Sequence, residues 1–167
     1  MKIIIRKGKP EDTEAIADLW IAMMREHRGF EPRLVLSAKA REHYADYANY
    51  HAGSEDSIVL VAESFWEEDG ALGLTAGRVI GFALSYRVRN YPMFEPAYYG
   101  FVSDVTVAKA LRGQKIGERL MRRTEELFHE RGVRHIHLHV YHANEDGRRF
   151  WKQLGYENYI EGLAKRI

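Results

Sequence analysis

Between Tyr98 and Phe128 the hydrophobic period changes within a few residues from that of a strand to that of a helix. YYGFVSDVTV carries the aromatic and β-branched residues of a strand. From Ile116 the residues Ile116, Leu120, Thr124, Leu127 and Phe128 make the expected buried stripe of a helix, with Glu118, Arg119, Arg122, Arg123, Glu125 and Glu126 on the wet side. Gly132 ends that helix, and RHIHLHV supplies the next strand. A strand that leads through a helix into another strand makes a parallel crossover, which sets the direction of two strands in the sheet.

The remaining segments surround that crossover. KIIIRK reads as a first strand. KPEDTEAIADLWIAMMREH has a Pro-acidic helix start and apolar residues at Ile16, Leu19, Trp20, Met23 and Met24. A weaker helix covers residues 37–50, with Ala40, Tyr44, Tyr47 and Ala48 on one side. SIVLVAES is a buried type of strand, an acidic glycine-rich hairpin-like insert occupies residues 66–77, and RVIGFALSYRV gives a third strand. The second, third and fourth strands are expected to pair antiparallel in sequence order. Residues 146–154 form a short helix closed by Gly155, and YENYIEGL is read as a last strand. The order βααβββαβαβ predicts an α/β (α+β) mixed sheet, mostly antiparallel.

With 167 residues, 46% hydrophobic, the chain suits one well-cored domain, taken as residues 1–167. Lys plus Arg (25) nearly balances Asp plus Glu (24), so no global field recruits nucleic acid or an acidic membrane, and any anion site must be local. The absence of cysteine removes thiol nucleophiles, disulfides and thiolate metal sites, and fits the cytoplasm. MKIIIRKGK is too short an apolar run for a signal core, and no stretch approaches a membrane span, so a soluble intracellular protein is expected.

The connection RGQKIG sits where a strand meets a helix N-terminus, which gathers backbone N–H groups at a positive helix end. Gly113 and Gly117 allow close approach, and Arg112 and Lys115 add charge, so a diphosphate is a natural guest. On the turn alone, glycines serving a tight connection between solvated cations explain it equally well. The segment is neither a Walker loop nor a Rossmann Gly-x-Gly-x-x-Gly.

RGQKIG does resemble the acetyl-CoA pyrophosphate loop of the GNAT-type N-acetyltransferase superfamily, and NEDGRRFWKQLGY, residues 144–156, resembles its second signature. The resemblance spans essentially the whole chain and is specific over residues 103–156. It implies a sheet whose fourth and fifth strands splay apart to admit the acetyl-CoA thioester. It also implies that the backbone of Val105 and Val107 bonds the pantetheine arm and that amides of Arg112, Gly113, Gln114, Lys115, Ile116 and Gly117 hold the diphosphate. Asn144 would face the arm, and Phe150 and Trp151 would line the cofactor's far side. Two departures stand out: Lys115 replaces the first motif glycine, and Trp151 replaces the Tyr that protonates the leaving thiolate in many members, although an indole N–H lacks that acidity.

The resemblance implies acetyl transfer to an amine, which must lose a proton before attack. Positions that carry a base in relatives correspond here to Phe101 and Ser103, neither a strong base. Asp104 has the opposite strand parity and points to the other face unless a bulge re-aims it. His135, His137 and His139 share a face; no carboxylate joins them in sequence, no metal site is expected, and His139 is a candidate proton relay. Proton loss through water to solvent stays open. Family geometry places acceptor contacts in REHRGFEPRLV and RNYPMFEPAYYG, where aromatics meet an acid and suit a cationic amine. A small amine, an amino-acid derivative and a protein N-terminus all fit, and a homodimer is common among relatives. The alternative to direct transfer in a ternary complex is a CoA-binding sensory module that has lost turnover. A metal-dependent enzyme built on the histidine strand is a third reading.

Overall fold

The computed structural model describes residues 1–65 and 77–167, so the expected insert at residues 66–77 lies outside the described residues except for Gly77. Five strands form one sheet in the order β1-β2-β3-β4-β5: β1 (Lys2–Lys7), β2 (Ser57–Phe65), β3 (Arg78–Arg89), β4 (Tyr98–Val107) and β5 (Ile136–Leu138). The first four pair antiparallel, and β4 pairs parallel to β5. Helices α1 (Thr13–His27), α2 (Ala40–Gly53), α3 (Ile116–Glu130) and α4 (Glu145–Gln153), with 3-10 turns at Pro10–Asp12 and Lys109–Leu111, complete the described elements. The observed boundaries of β4 and the start of α3 match those expected from the change of period.

The sheet is buried on both faces, which explains why SIVLVAES reads as a continuous apolar run. Ile58, Leu60 and Ala62 pack with Val102, Ile116, Leu120 and Phe128 on the α3 side. Val59 and Val61 point the other way, into Ile16, Ala17, Tyr44, Phe82 and Leu84 beneath α1 and α2. At Gly100 a Cβ would lie 2.8 Å from the Phe128 ring, so a missing side chain lets α3 seat on β4. At the entrance to α1, Asp12 accepts from the Lys9 amide (2.8 Å) and pairs with Arg6, whose Nε also reaches Glu63. The hydrogen bonds from Arg6 and Lys9 outweigh burial and hold the Asp12 carboxyl below its ordinary range.

One expected element is not formed. YENYIEGL lies outside the sheet, and RHIHLHV contributes only Ile136–Leu138 as strand. A three-residue β5 offers little edge to a further partner. Tyr159 leaves its ring against His137 (4.9 Å) while Ile160 and Leu163 stand exposed. No helix among the described residues is long and apolar enough to cross a membrane.

Candidate active site

β4 and β5 pair only at Gly100↔Ile136, Phe101↔His137 and Val102↔Leu138, whereas β4 stays paired to β3 as far as Val107. From Ser103 onward the β5 side of β4 is an open edge. Its polarity follows from two bonds: the Ala108 amide turns toward β3 and donates to Ile80 O (2.8 Å), while Val107 O turns away and accepts from Arg112 Nε (3.1 Å). Alternation along a strand then directs the backbone groups of Val105 toward the open edge with those of Val107.

Beyond Val107 a 3-10 turn, Lys109–Leu111, leads into the connection. Gly113 has φ 80, and Lys115 is left-handed at φ 59, ψ 15, immediately before α3. The Arg112 amide bonds Lys109 O, and the next amide with a carbonyl partner is Arg119, on Lys115 O. Between them, among the described residues, the amides of 113–118 are uncommitted at the positive end of a 15-residue helix. Ile116 anchors the turn by burying its side chain in the core, while Gln114 is exposed. The guanidinium of Arg112 does not add charge to this nest as the sequence suggests: Nη1 holds Glu26 at the end of α1 (2.7 Å). Lys115 is exposed and has no ion pair among the described residues.

Asp104 is re-aimed by a bulge. The register shifts so that Leu84 pairs Asp104 and Ser85 pairs Val102, leaving Ser103 as the extra residue. Ser103 and Asp104 therefore both face α1 and α2. Asp104 Oδ1 accepts from Trp20 Nε1 (3.1 Å), and Oδ2 accepts from Tyr44 OH (2.9 Å) and Ser103 Oγ (2.6 Å). Tyr47 OH lies 3.3 Å from the same serine hydroxyl. Burial pushes the Asp104 carboxyl up, and the three neutral donors only partly counter it. Two lone-pair positions on Oδ2 are filled, whereas Oδ1 keeps one free.

α4 supplies the remaining expected residues. Asn144 caps this helix, its Oδ1 accepting from the Gly147 amide (2.9 Å), which leaves its amide nitrogen for other partners. Phe150 lies over Gly117, where a Cβ would sit 3.4 Å from the ring. The Trp151 indole packs edge-on between Phe150 and Tyr156. The Tyr156 hydroxyl is committed to Glu125 (2.9 Å).

The model of the acetyltransferase (GNAT) family matches residues 15–156, most of the chain. The chain belongs to the GNAT acetyltransferase family. The fold agrees with solved structures that are 16–22% identical. A tetramutant protein from Bacillus halodurans superposes with TM-score 0.80 at 20% identity, covering 98% of this chain and 99% of that one. A GCN5-related N-acetyltransferase from Ralstonia eutropha gives 0.73 at 22% identity over 99% of each chain. A predicted acetyltransferase from Clostridium acetobutylicum, solved with acetyl-CoA, gives 0.71 at 16% identity over 99% of this chain and 96% of that one.

Within this GNAT fold the histidines take separate surroundings. His137 stacks on Tyr99 (4.4 Å), and burial, then His135 and His139, lowers its pKa. His139 lies edge-on to Phe101 (5.2 Å), past the end of β5. Sequence reasoning missed His27, whose Nδ1 is buried without a partner among the described residues. Its ring packs against Phe30 (5.0 Å) and Tyr141 (5.7 Å); burial lowers its pKa and the charge of Asp104 opposes that. It missed also an open pocket of about 300 Å³ against α2, lined by Trp20, Val35, Leu36, Ser37, Ala40, His43, Tyr44 and Tyr47. The acceptor loops expected from sequence contribute only Val35 to it. Tyr91 and Phe94 of the β3–β4 loop are exposed elsewhere. No local pattern announces this pocket, because its wall and the carboxylate behind it lie 60 and 84 residues apart in the chain.

Proposed function

We propose that this GNAT protein is one domain over residues 1–167 that transfers an acetyl group from acetyl-CoA to a primary amine, directly and within a ternary complex. The observation that carries the reading is the juxtaposition of three features: an open β4 edge, a nest of uncommitted amides at its end, and a buried carboxylate at the bulge where the edge begins. The residues fit acetyl-CoA. Val105 and Val107 offer strand-like backbone groups to the pantetheine arm, amides of 113–118 suit the diphosphate with Lys115 beside it, and Phe150 and Trp151 wall the α4 side. Bound acetyl-CoA supplies an acetyl thioester, an acyl donor with a good leaving group. The solved Clostridium relative with acetyl-CoA supports the same assignment by analogy of fold.

The chain's own part is positioning and proton removal. The acceptor ammonium gives one proton to the free lone pair of Asp104 Oδ1. The nitrogen lone pair forms the C–N bond, the C–S bond breaks with its electrons on sulfur, and the thiolate takes the second nitrogen proton. Asp104 then returns its proton to solvent, so the sum is amide, CoA thiol and one proton. Trp20, Tyr44 and Ser103 hold the carboxylate in place. His139, edge-on to Phe101, is a secondary relay candidate. With no cysteine, this chain cannot carry the acetyl group as a cysteine thioester.

Calorimetric titration with acetyl-CoA and with CoA lacking the 3′-phosphate, followed by thiol release over a panel of amines, tests this. Binding with release supports the transferase. Binding without release favours the sensory module, for which Trp151 in place of a phenolic acid is the specific observation. No binding refutes both.

A further inference from the structure

The carboxylates around the α2 pocket are unequal. Glu14 and Asp18 share Arg41, Glu31 holds Arg33, Glu42 faces Lys39, and Glu26 holds Arg112, each within ion-pair distance. Asp104 has only neutral donors: an indole, a phenol and a serine hydroxyl. A buried carboxylate with no Lys or Arg beside it, and with only His27, whose charged form burial disfavours, near enough to feel its charge, favours a single positive charge at the free position on Oδ1.

The pocket completes the specification. Trp20 and Tyr44 are stacked with centroids 4.2 Å apart and planes 10° from parallel, and Tyr47 tilts against Tyr44 at 5.6 Å. The same three side chains line the pocket with their bodies and reach Asp104 or Ser103 with their polar tips. No lining residue is a carboxylate. Ring faces favour flat apolar groups and a nearby ammonium, but a second or third ammonium entering here would be desolvated with no counter-charge.

Resting on the transferase reading, we infer that the acceptor is a monocationic primary amine with a flat apolar body, of the arylalkylamine class, whose ring occupies the Trp20–Tyr44–Tyr47 pocket and whose ammonium meets Asp104. Polyamines and aminosugars bring further charges for which no lining residue supplies a carboxylate.

The test separates this inference from the transferase reading by measuring binding first. The full chain saturated with CoA, which cannot donate acetyl, is titrated calorimetrically with phenethylamine, butylamine, spermidine and kanamycin. Phenethylamine is expected to bind roughly tenfold or more tightly than the others. Ser37→Trp, an exposed substitution at the pocket rim, should weaken phenethylamine about tenfold and leave CoA affinity unchanged, and Asp104→Asn should abolish amine binding. Tighter spermidine or kanamycin binding, or indifference to Ser37→Trp, overturns the inference while the transferase reading stands. Thiol release is then followed with acetyl-CoA. Phenethylamine binding without release keeps the pocket assignment and removes the transferase reading.

Discussion

At the scale of single residues, Lys115 and Asp104 each occupy a position that their chemistry does not favour. A lysine at φ 59 carries a left-handed backbone penalty of about 1 kcal/mol that a glycine escapes. Lys115→Gly is therefore expected to raise the denaturation midpoint by about 1 kcal/mol of stability while weakening acetyl-CoA several-fold through the lost ammonium; calorimetry and thermal melts read the two effects separately. For Asp104 the sign of the pH effect is set by burial. The folded protein keeps this proton at pH values where the unfolded chain, with a pKa of about 3.9, has lost it. Asp104 thus makes stability fall as pH rises from about 4 through the raised folded pKa, with no further change above it. Asp12 acts oppositely: its lowered pKa makes its contribution present above the unfolded value and lost as pH falls through the folded one. Comparing urea denaturation of the wild type and Asp104→Asn across pH isolates the first effect; parallel curves would refute the assigned shift. From sequence, Lys115 stood out because the motif marks its position as a glycine. The partners of Asp104 were not, since Trp20 and Tyr44 read as members of apolar stripes and their polar tips meet the carboxylate only in three dimensions.

At the scale of elements, periodicity served best where one face is buried and the other wet. The expected β4 ended at Val107 and the expected helix began at Ile116, as observed, because both patterns change sharply there. Parity failed at Ser103, where one extra residue turns the next side chain to the same face, and a two-residue repeat carries no sign of that insertion. The last strand failed for another reason: YENYIEGL has strand-forming residues but finds no long partner edge. α4 depends on its cap. A Cβ at Gly147 would lie 2.5 Å from Asn144 Nδ2, so Gly147→Ala should displace the cap and lower stability by about 1 kcal/mol. Asn144→Ala should cost a similar amount, and the double variant little more; strict additivity in melts would mean that the two residues do not act through one bond.

At the scale of the whole molecule, the two faces of the sheet divide the labour, with the turn and α4 on one side and the aromatic pocket with α1 and α2 on the other. Acetyl-CoA at a hundredfold excess over Kd is expected to stabilise the fold by about 2.7 kcal/mol and to slow amide exchange over residues 105–107 and 113–118. Gly117→Asp should remove both effects with the apo melting temperature nearly unchanged, because a Cβ there meets Phe150 at an ordinary 3.4 Å. Retained exchange protection in that variant would put the diphosphate elsewhere. The order of the five strands and the mixed sheet were legible from the sequence, as was the glycine-bearing turn ahead of α3. The aromatic pocket was not, because it and the carboxylate behind it are assembled from long-range contacts rather than a contiguous motif.

The surplus residue at Ser103 works as punctuation in the sheet. It lies where the β4–β5 ladder stops, immediately before Asp104. A chain shortened by that one residue would regain strict alternation with Val102 still opposite Ser85 and Asp104 still opposite Leu84, so the carboxylate would keep facing α1 and α2. The serine is then the removable member of the pair: a lineage could lose it with one codon and keep the carboxylate on the face that carries the aromatic pocket.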